Sequence, residues 1–357
     1  MKDVLNCIKK YVEITEDEKF ILHWKKLSER LLKGILESYI RREPETVRII
    51  ENIINNIGQF NTEEHHRFNI STNSIFIHGN KSQVEFEYYG KSTKRELGDI
   101  IFILSVVYNG RKYFEKMTIN QIKKSRNVSW NFNTDSAREQ LYLLSRFPAF
   151  KGAKNSIIPK KDYNLPNYSG CLGSHGLLYY PGDFALISSK QLDVILSGKN
   201  KLELANLVLS IVPNNPCLCL HIDFEECFYL LHKLIHFYPR CLRYFPFICN
   251  LPILGNSCIS YNAYDFSDKY LRGVIGELIY AKGLGYNHQA FQFLMDLLES
   301  IERKGGKYKS FVQNFRKFNY NPIGYGKDKI DKKDYEFDRD GGGLGITHTI
   351  IDLREGK

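Results

Sequence analysis

The chain has 357 residues, 43% of them hydrophobic and 25% charged, and is long enough for one large domain or, as we expect, two. No apolar run approaches the roughly 20 residues of a membrane-spanning helix and the start lacks a signal-peptide core, so we expect a soluble cytoplasmic protein without membrane contact. Fifty Lys and Arg against forty Asp and Glu give a formal charge of +10, which mildly favours a polyanionic partner such as nucleic acid.

The first sixty residues are predicted to be helical, because apolar residues recur at intervals of three and four, as in Phe20–Trp24. Pro44 suits the first position of a further helix at about 44 to 57, where its missing N–H would be unpaired in any case. This helix carries Glu51.

The middle of the chain changes to a strand pattern. Ser74–His78 and the alternating Gln83–Tyr89 are the first predicted strands, and the apolar run Ile100–Val107 is the next. Asn109-Gly110 is a strong hairpin signal before a strand over Thr118–Lys124. These segments predict a mixed, mainly antiparallel sheet.

A helix is predicted at 135 to 147, capped by Thr134, Asp135 or Ser136 and stopped by Pro148. The fold class is therefore α/β, with a core in the order helix, mixed mainly antiparallel sheet, helix.

The second half is predicted to be a helix-rich α+β region. Its expected elements are strands near 185–187, 217–222 and 346–351 and helices near 224–238, 268–281 and 288–303. We divide the chain into an N-terminal helical segment at 1–43, a core at 44–150, a linker or long loop at 151–175 and the α+β region at 176–357.

Several cysteines and histidines raise the question of metal. Most of the eight cysteines lie between 217 and 258 without a CxxC pair, so reduced buried thiols are the main expectation and zinc the alternative. His232 and His236 are one helical turn apart, but Lys233 occupies the position where a metalloprotease has glutamate. A buried histidine pair is the simpler interpretation.

Two other segments have unusual composition. Arg303 to Lys333 mixes basic and aromatic residues, which suits either a nucleic-acid groove or a surface loop anchored by its aromatic side chains. Gly341–Gly345 lacks the preceding strand and following helix of a phosphate loop and is interpreted as a flexible turn.

Polar residues at the ends of two core strands form the main functional lead. Asp99 opens the apolar strand, and Gln121-Ile-Lys123 ends the next one. Burying a carboxylate is costly, and a metal ion with a nearby lysine offsets that cost. Asp99 can bind Mg²⁺ or Mn²⁺, and the amide oxygen of Gln121 or the carbonyl of Ile122 can add a ligand. Lys123 can orient the attacking water or stabilise the pentavalent centre of a phosphodiester.

This hypothesis makes a geometric demand. If Tyr108 faces Arg111 across an ideal two-residue turn, Asp99 pairs with Asn120 and lies on the face opposite Gln121. A bulge, or a loop of three or five residues, brings Asp99, Gln121 and Lys123 to one face. We therefore predict an irregular hairpin.

Glu96-Leu-Gly-Asp99, followed by Gln121-Ile-Lys123 and the helix at 135–147, resembles the PD-(D/E)xK nuclease superfamily with its restriction-endonuclease-like fold. The resemblance is to the QxK variant of Mrr-like and McrC-like restriction enzymes and covers about 44 to 150. No proline precedes Asp99, and Gln replaces the usual acid. Glu96 is three residues before Asp99 and is expected on the other face of a regular strand, as a surface or ion-pair residue.

The resemblance implies that Asp99 is a metal ligand, that Gln121 is the ligand at the acidic position and that Lys123 is the catalytic lysine. The superfamily often adds a glutamate from the helix before the first strand. Glu51 fits that place best, with Glu64 as the second choice.

Three functions follow as hypotheses. The first is a Mg²⁺-dependent DNA endonuclease of restriction or phage defence, whose C-terminal region recognises the target or contacts a partner. The second is a non-catalytic DNA-binding or assembly subunit that keeps the nuclease fold, and the third is a protein-interaction scaffold. A homodimer and a complex with a partner subunit are both compatible with the sequence.

Overall fold

The computed structural model of the protein describes residues 2–60, 67–206, 253, 259–283, 286–320 and 342–354. These residues form a mixed α/β fold around one mixed sheet. Within these ranges, no helix combines the length and apolar character needed to cross a membrane. The strand expected at 217–222 and the helix expected at 224–238 lie outside the described residues.

The helices in this part of the chain are α1 (Lys2–Thr15), α2 (Glu18–Glu37), α3 (Glu43–Asn55), α4 (Asp135–Arg146), α5 (Ser189–Leu196), α6 (Ala263–Leu271), α7 (His288–Glu302) and α8 (Gly306–Tyr320). The strands are β1 (Phe68–His78), β2 (Gln83–Tyr88), β3 (Lys91–Glu96), β4 (Ile100–Tyr108), β5 (Arg111–Ser125), β6 (Ser129–Asn131), β7 (Phe150–Gly152), β8 (Gly173–Tyr179), β9 (Asp183–Ser188), β10 (Lys201–Glu203), β11 (Ile259–Ser260), β12 (Glu277–Ala281) and β13 (Gly343–Leu353).

The main sheet has eight strands in the order β1-β13-β4-β5-β8-β9-β11, with β12 also paired to β5. β13 is parallel to β4 and antiparallel to β1, and β5 is parallel to β8. Helices cover both faces: α1, α2, α3 and α6 pack on one, and α4, α5, α7 and α8 pack on the other. The site described below lies where β4 begins and β5 ends.

The sheet does not stop at residue 150, contrary to the predicted division into 44–150 and 176–357. β13 separates β1 from β4, and β8, β9, β11 and β12 extend the same sheet. The reason is that every residue of β13 is buried, so this strand belongs in the centre of a sheet that is covered on both faces.

The two helices that flank the predicted core begin and end close to where the sequence signals place them. α3 begins at Glu43, with Pro44 in its first turn. α4 is capped by Thr134, whose hydroxyl accepts a hydrogen bond from the Ala137 N–H. It ends at Arg146, and the C-cap residue Phe147 has a left-handed conformation and precedes Pro148.

The expected linker at 151–175 is a packed irregular segment. Ile158, Tyr163 and Leu165 are buried in the core, and the backbones of Tyr163 and Phe150 exchange two hydrogen bonds of 2.7 and 3.0 Å. Composition suggested a linker because polar residues dominate the segment, but its few apolar side chains suffice to attach it to the sheet.

The prediction of a helix over 268–281 is wrong for the second half of that range. α6 ends at Leu271, and the chain turns at Gly273 and Gly276 before β12 pairs with β5. Both glycines have positive φ, 65° and 93°. A Cβ atom at Gly276 would lie 2.9 Å from the Met117 carbonyl oxygen, so the close approach of the two backbones requires glycine.

The stretch interpreted as a flexible turn, Gly341–Gly345, instead leads into a central strand, because β13 begins at Gly343. Gly341 itself lies outside the described residues. A Cβ atom on Gly345 would lie 2.7 Å from Oε2 of Glu51. The glycine therefore lets α3 pack directly against the sheet.

The cysteine and histidine predictions are tested only in part. Cys7 is a free, buried thiol whose pKa is raised by burial. Cys171 is disulfide-bonded, so the expectation of reduced thiols is wrong at that position. The remaining cysteines at 217–258, together with His232 and His236, lie outside the described residues.

Part of the basic and aromatic segment 303–333 forms α8. Phe311 and Phe315 are buried in the core beneath this helix and cannot stack on a nucleic acid. These two side chains follow the alternative in which aromatic residues anchor the segment. Residues 321–333 of this segment lie outside the described part.

Candidate functional site

The hairpin between β4 and β5 contains the predicted irregularity. Asn109 and Gly110 form the turn with φ of 50° and 69°, and Tyr108 pairs with Arg111. Tyr113 is then an extra residue, because Val107 lies opposite Lys112 and Val106 opposite Phe114. This β-bulge shifts the register so that Ile100 pairs with Asn120, which places Asp99 opposite Gln121.

The Asp99 carboxylate accepts two hydrogen bonds on one oxygen. Its Oδ2 atom accepts from Nε2 of Gln121 at 2.5 Å and from the Ile122 N–H at 2.6 Å. Its Oδ1 atom makes no hydrogen bond with the described residues. The Asp99 backbone is fixed as well, since its N–H donates to the Asn120 carbonyl at 2.8 Å and its carbonyl accepts from the Gly345 N–H at 2.8 Å.

Burial raises the pKa of Asp99 to about 7. The ammonium of Lys123 and the Ile122 N–H oppose this rise, whereas the carboxylates of Glu43 and Glu96 contribute to it. The three charged side chains that act on the Asp99 pKa therefore come from the end of β3, the end of β5 and the start of α3. A carboxyl with such a pKa stands at a position where an added cation would be strongly favourable.

Lys123 is held by a residue that sequence reasoning missed. Its Nζ atom lies 3.3 Å from Oε1 of Glu43, and Oε2 of Glu43 accepts from the Lys124 N–H at 2.7 Å. Burial alone would lower the pKa of Lys123, but Glu43, Asp99 and Glu96 outweigh it and raise the pKa. The available signal was an acid beside Pro44 at the start of the helix that precedes the sheet.

Glu96 belongs to the same group of charges, although regular alternation predicted it on the other face. β3 ends at Glu96, and Leu97-Gly98 breaks the strand before β4 begins, so the alternation does not carry through to Asp99. Burial raises the pKa of Glu96, and Arg48 and Lys123 oppose that rise.

Glu51, the glutamate expected from the helix before the sheet, makes its contacts next to the Asp99 backbone. It is buried, forms an ion pair with Arg48 and packs against Gly345. Arg48 also donates to the carbonyls of Asp99 and Gly343, at 3.2 and 3.1 Å. Glu51 thus acts on the site through Arg48, and the second choice, Glu64, lies outside the described residues.

Ile122 contributes its backbone to the site. Its side chain is buried in the core on the far face of the sheet, as expected from alternation. The observed contact to Asp99 comes from the Ile122 N–H, whereas the sequence suggested its carbonyl as a metal ligand.

His175 is a second residue that the sequence did not indicate. It pairs in register with Gln121, is fully buried and shares a hydrogen bond of 2.8 Å between Nδ1 and the Ser189 hydroxyl. Its Nε2 atom is buried and has no hydrogen-bond partner among the described residues. Burial, assisted by Lys123, lowers the pKa of His175 to about 3, so this imidazole is neutral.

A pocket of about 400 Å³ opens beside these residues. It is lined by Gln83, Lys94, Arg95, Glu96, Gln121, Lys123, Asn131, Thr134, Ser136, Ala137 and Gln140. The pocket therefore joins the end of β5 to the first turns of α4.

The residues suit a sparsely coordinated Mg²⁺ ion better than a metal caged by side chains. No group of three or more His, Cys, Asp or Glu side chains that could hold a metal occurs in the described ranges. Asp99 keeps Oδ1 free of hydrogen bonds there, and Gln121 keeps its amide oxygen because its NH₂ group faces Asp99. Mg²⁺ commonly uses one or two carboxylates and completes its shell with water and phosphate.

The arrangement brings together a carboxylate, an amide oxygen and an ammonium group beside an open pocket, which is the equipment for binding a cation and a phosphodiester side by side. Known proteins give no further guide to its chemistry. No family model matches the chain, and neither a curated protein nor a solved structure matches it.

Proposed function

We propose that the protein is a Mg²⁺-dependent endonuclease that hydrolyses phosphodiester bonds in DNA and has a restriction-endonuclease-like core. The observation that carries the proposal is the bulge at Tyr113, through which Asp99 and Gln121 come to face each other. Lys123 is two residues further along β5 and therefore shares the face of Gln121.

The chain's own residues have distinct tasks in this proposal. Asp99 and Gln121 would hold the ion through Oδ1 and the amide oxygen. Lys123 stays protonated because neighbouring carboxylates raise its pKa, so it acts as a cation toward the developing phosphoryl charge and orients water, and it does not act as a base. Mg²⁺, when bound, supplies polarisation of the phosphoryl oxygen and a lower pKa of bound water.

The local charge balance supports a divalent ion. Among the described residues, Asp99, Glu43 and Glu96 act on the ammonium of Lys123, and the carboxylates of Glu43 and Glu96 raise the pKa of Asp99. These carboxylates would repel one another less with a divalent cation bound at Asp99, and a DNA phosphate could then approach them at a lower electrostatic cost.

The biological role that we propose is restriction or phage defence, in line with the QxK resemblance of Gln121-Ile-Lys123. The formal charge of +10 suits a DNA partner. In this proposal the protein works in the cytoplasm as a homodimer or with a partner subunit.

The decisive experiment is nicking of supercoiled plasmid DNA in Mg²⁺ or Mn²⁺. The proposal expects nicking by the unmodified protein and its loss in Asp99→Ala and in Lys123→Ala. Matched controls are Glu37→Ala and Lys33→Ala, whose side chains are 66% and 76% exposed and lie on α2. Unchanged cleavage by both site variants would reject the assignment.

The second candidate is a DNA-binding or assembly subunit without catalysis, which is favoured by Gln121 at the position of the usual acid. It predicts a salt-sensitive gel shift with no cleavage in either metal. The scaffold hypothesis predicts neither binding nor cleavage.

A further inference from the structure

Two amide side chains in the pocket beside the candidate site have a fixed orientation. Nε2 of Gln140 on α4 donates to the backbone carbonyl of Glu96 at 2.9 Å. Because a backbone carbonyl only accepts, the NH₂ end of Gln140 must face it, and the amide oxygen is left for the pocket. Gln140 is only 6% exposed, so its surroundings hold it in this position.

Asn131 at the end of β6 is fixed in the opposite sense. Its Oδ1 atom accepts from the backbone N–H of Asn133 at 3.0 Å. Because that N–H only donates, the NH₂ group of Asn131 is the end left for a ligand. The pocket therefore offers one oriented acceptor from α4 and one oriented donor from β6, and both residues line it.

The cations of the pocket are already engaged by carboxylates. Lys94 lies 3.1 Å from Glu85, and Arg95 forms an ion pair with Glu139. Lys123 is paired with Glu43, as described above. Away from Lys123, where the nuclease proposal puts the phosphodiester, Lys94 and Arg95 are thus paired with carboxylates and this part of the pocket does not favour a second phosphate.

A neutral ligand with a donor and an acceptor side by side fits these groups. The Watson–Crick edge of every nucleobase has this character, and unpaired bases are commonly read through that edge by side-chain hydrogen bonds. The volume of about 400 Å³ lies within the range of small-ligand sites, roughly 300–1,000 Å³. Gln121 and Lys123 also line the pocket, so a nucleotide next to a phosphodiester at Lys123 can reach it.

We infer that the pocket between β6 and α4 binds an unpaired nucleobase of the substrate strand, with Gln140 accepting and Asn131 donating hydrogen bonds at its Watson–Crick edge. The inference rests on the proposed nuclease function, because it takes DNA as the substrate. It names the substrate class as DNA that is single-stranded or locally unpaired next to the cleaved bond.

The test compares two single-stranded oligonucleotides that differ only in one central nucleotide, which is either a normal nucleotide or an abasic one. Affinity is measured by fluorescence anisotropy with the full protein in EDTA, so that no cleavage takes place. Both probes offer the same phosphate contacts, so the ratio of their two dissociation constants reports the contribution of the base. We expect binding about tenfold tighter with the base present.

Asn131→Asp keeps the acceptor for Asn133 and replaces the donor of the pocket, so it should remove the preference for the base. Asn127→Asp introduces the same charge at a nearby exposed residue and should retain the preference. Gln140→Leu should also remove it, and the variant's thermal unfolding shows whether it is folded. Equal affinities of the two probes for the unmodified protein would overturn the inference.

A preference that survives both Asn131→Asp and Gln140→Leu would likewise overturn it. The failure of this inference and the failure of the nuclease proposal give different experimental results. A base preference without plasmid nicking supports this inference and rejects only the proposed catalysis. Nicking without a base preference supports the proposed catalysis and rejects the base-binding pocket.

Discussion

Glu43 and Lys123 form an ion pair of 3.3 Å that ties the first turn of α3 to the end of β5. The same glutamate accepts a hydrogen bond from the Lys124 backbone, so one carboxylate positions both the strand and its functional amine. Glu43 is thereby a positioning residue. A variant without its carboxylate keeps Lys123 in the chain but no longer holds the amine in place, so it tests the position of Lys123 alone.

Glu43→Gln should slow plasmid nicking by about 10-fold to 100-fold, because a displaced ammonium stabilises the developing charge poorly. The loss of stability should be at most about 1 kcal/mol, since the two side chains are 33% and 32% exposed. Single-turnover nicking and urea unfolding measure the two effects. Glu45→Gln is the control, because Glu45 lies in the same turn and pairs with Arg42. Equal rates for the two variants would show that Glu43 does not position Lys123.

Asp99 should make the free energy of unfolding fall as pH rises. Its pKa is about 7 in the folded protein and about 3.9 in an unfolded chain, so the folded state binds more protons between these values. The loss of unfolding free energy that comes from ionising Asp99 in the folded protein is absent below pH 4 and complete above pH 7. In EDTA, Asp99→Asn should be more stable than the unmodified protein by up to about 4 kcal/mol at pH 8, with the difference vanishing toward pH 4.

Urea unfolding at intervals between pH 4.5 and 8 measures this difference. Asp135→Asn, at an exposed carboxyl, is the control and should follow the unmodified protein. A difference that stays constant with pH would mean that Asp99 does not titrate in this range.

Mg²⁺ should stabilise the folded protein through Asp99. At about ten times the dissociation constant, an ion that binds only the folded state contributes about 1.4 kcal/mol. Thermal unfolding in Mg²⁺ and in EDTA should therefore differ for the unmodified protein and for Asp135→Asn, and should coincide for Asp99→Asn. A shift of the same size in Asp99→Asn would place the ion elsewhere.

Gly345→Ala should destabilise the protein by about 1–3 kcal/mol, because its Cβ would lie 2.7 Å from Oε2 of Glu51 and 2.9 Å from Nη1 of Arg48. The loss should be smaller when Glu51→Ala is present, and a double-mutant cycle by urea unfolding measures this coupling. If the stability losses of Gly345→Ala and Glu51→Ala simply add in the double variant, the contact between the two residues does not cause the loss in Gly345→Ala. Glu51→Gln should keep plasmid nicking near the unmodified rate, since the amide oxygen of Gln can still accept the hydrogen bond from Arg48 that holds Arg48 at the Asp99 carbonyl.

Local signals were enough to predict α3 and α4, because Pro44, Thr134 and Pro148 act within a turn of the helix ends they determine. The sequence could state that Asp99 needs an irregular hairpin, yet nothing in Tyr113 marks it as the bulged residue. The register of the hairpin is visible only in the strand pairing of the structure, where Ile100 pairs with Asn120 and β5 pairs with β8 on its other side.

The part of the site that was missed depends on distant segments. Glu43 and Glu51 are both acids on one helix, and only the packing of α3 against β13 decides which of them faces Lys123. The glycines before Ile346 were interpreted as a turn because their partner in packing, Glu51, is almost 300 residues away in the chain.

The central position of β13 also orders events during synthesis of the protein. Asp99 leaves the ribosome early, but the N–H that fixes its carbonyl belongs to Gly345, and β1 cannot join β4 without the intervening strand. The site is therefore assembled only after the chain has been made as far as residue 353. Nascent chains that carry the β4–β5 hairpin with Asp99, Gln121 and Lys123 therefore lack the contact of Gly345 with Asp99 and the strand between β1 and β4 until β13 is inserted.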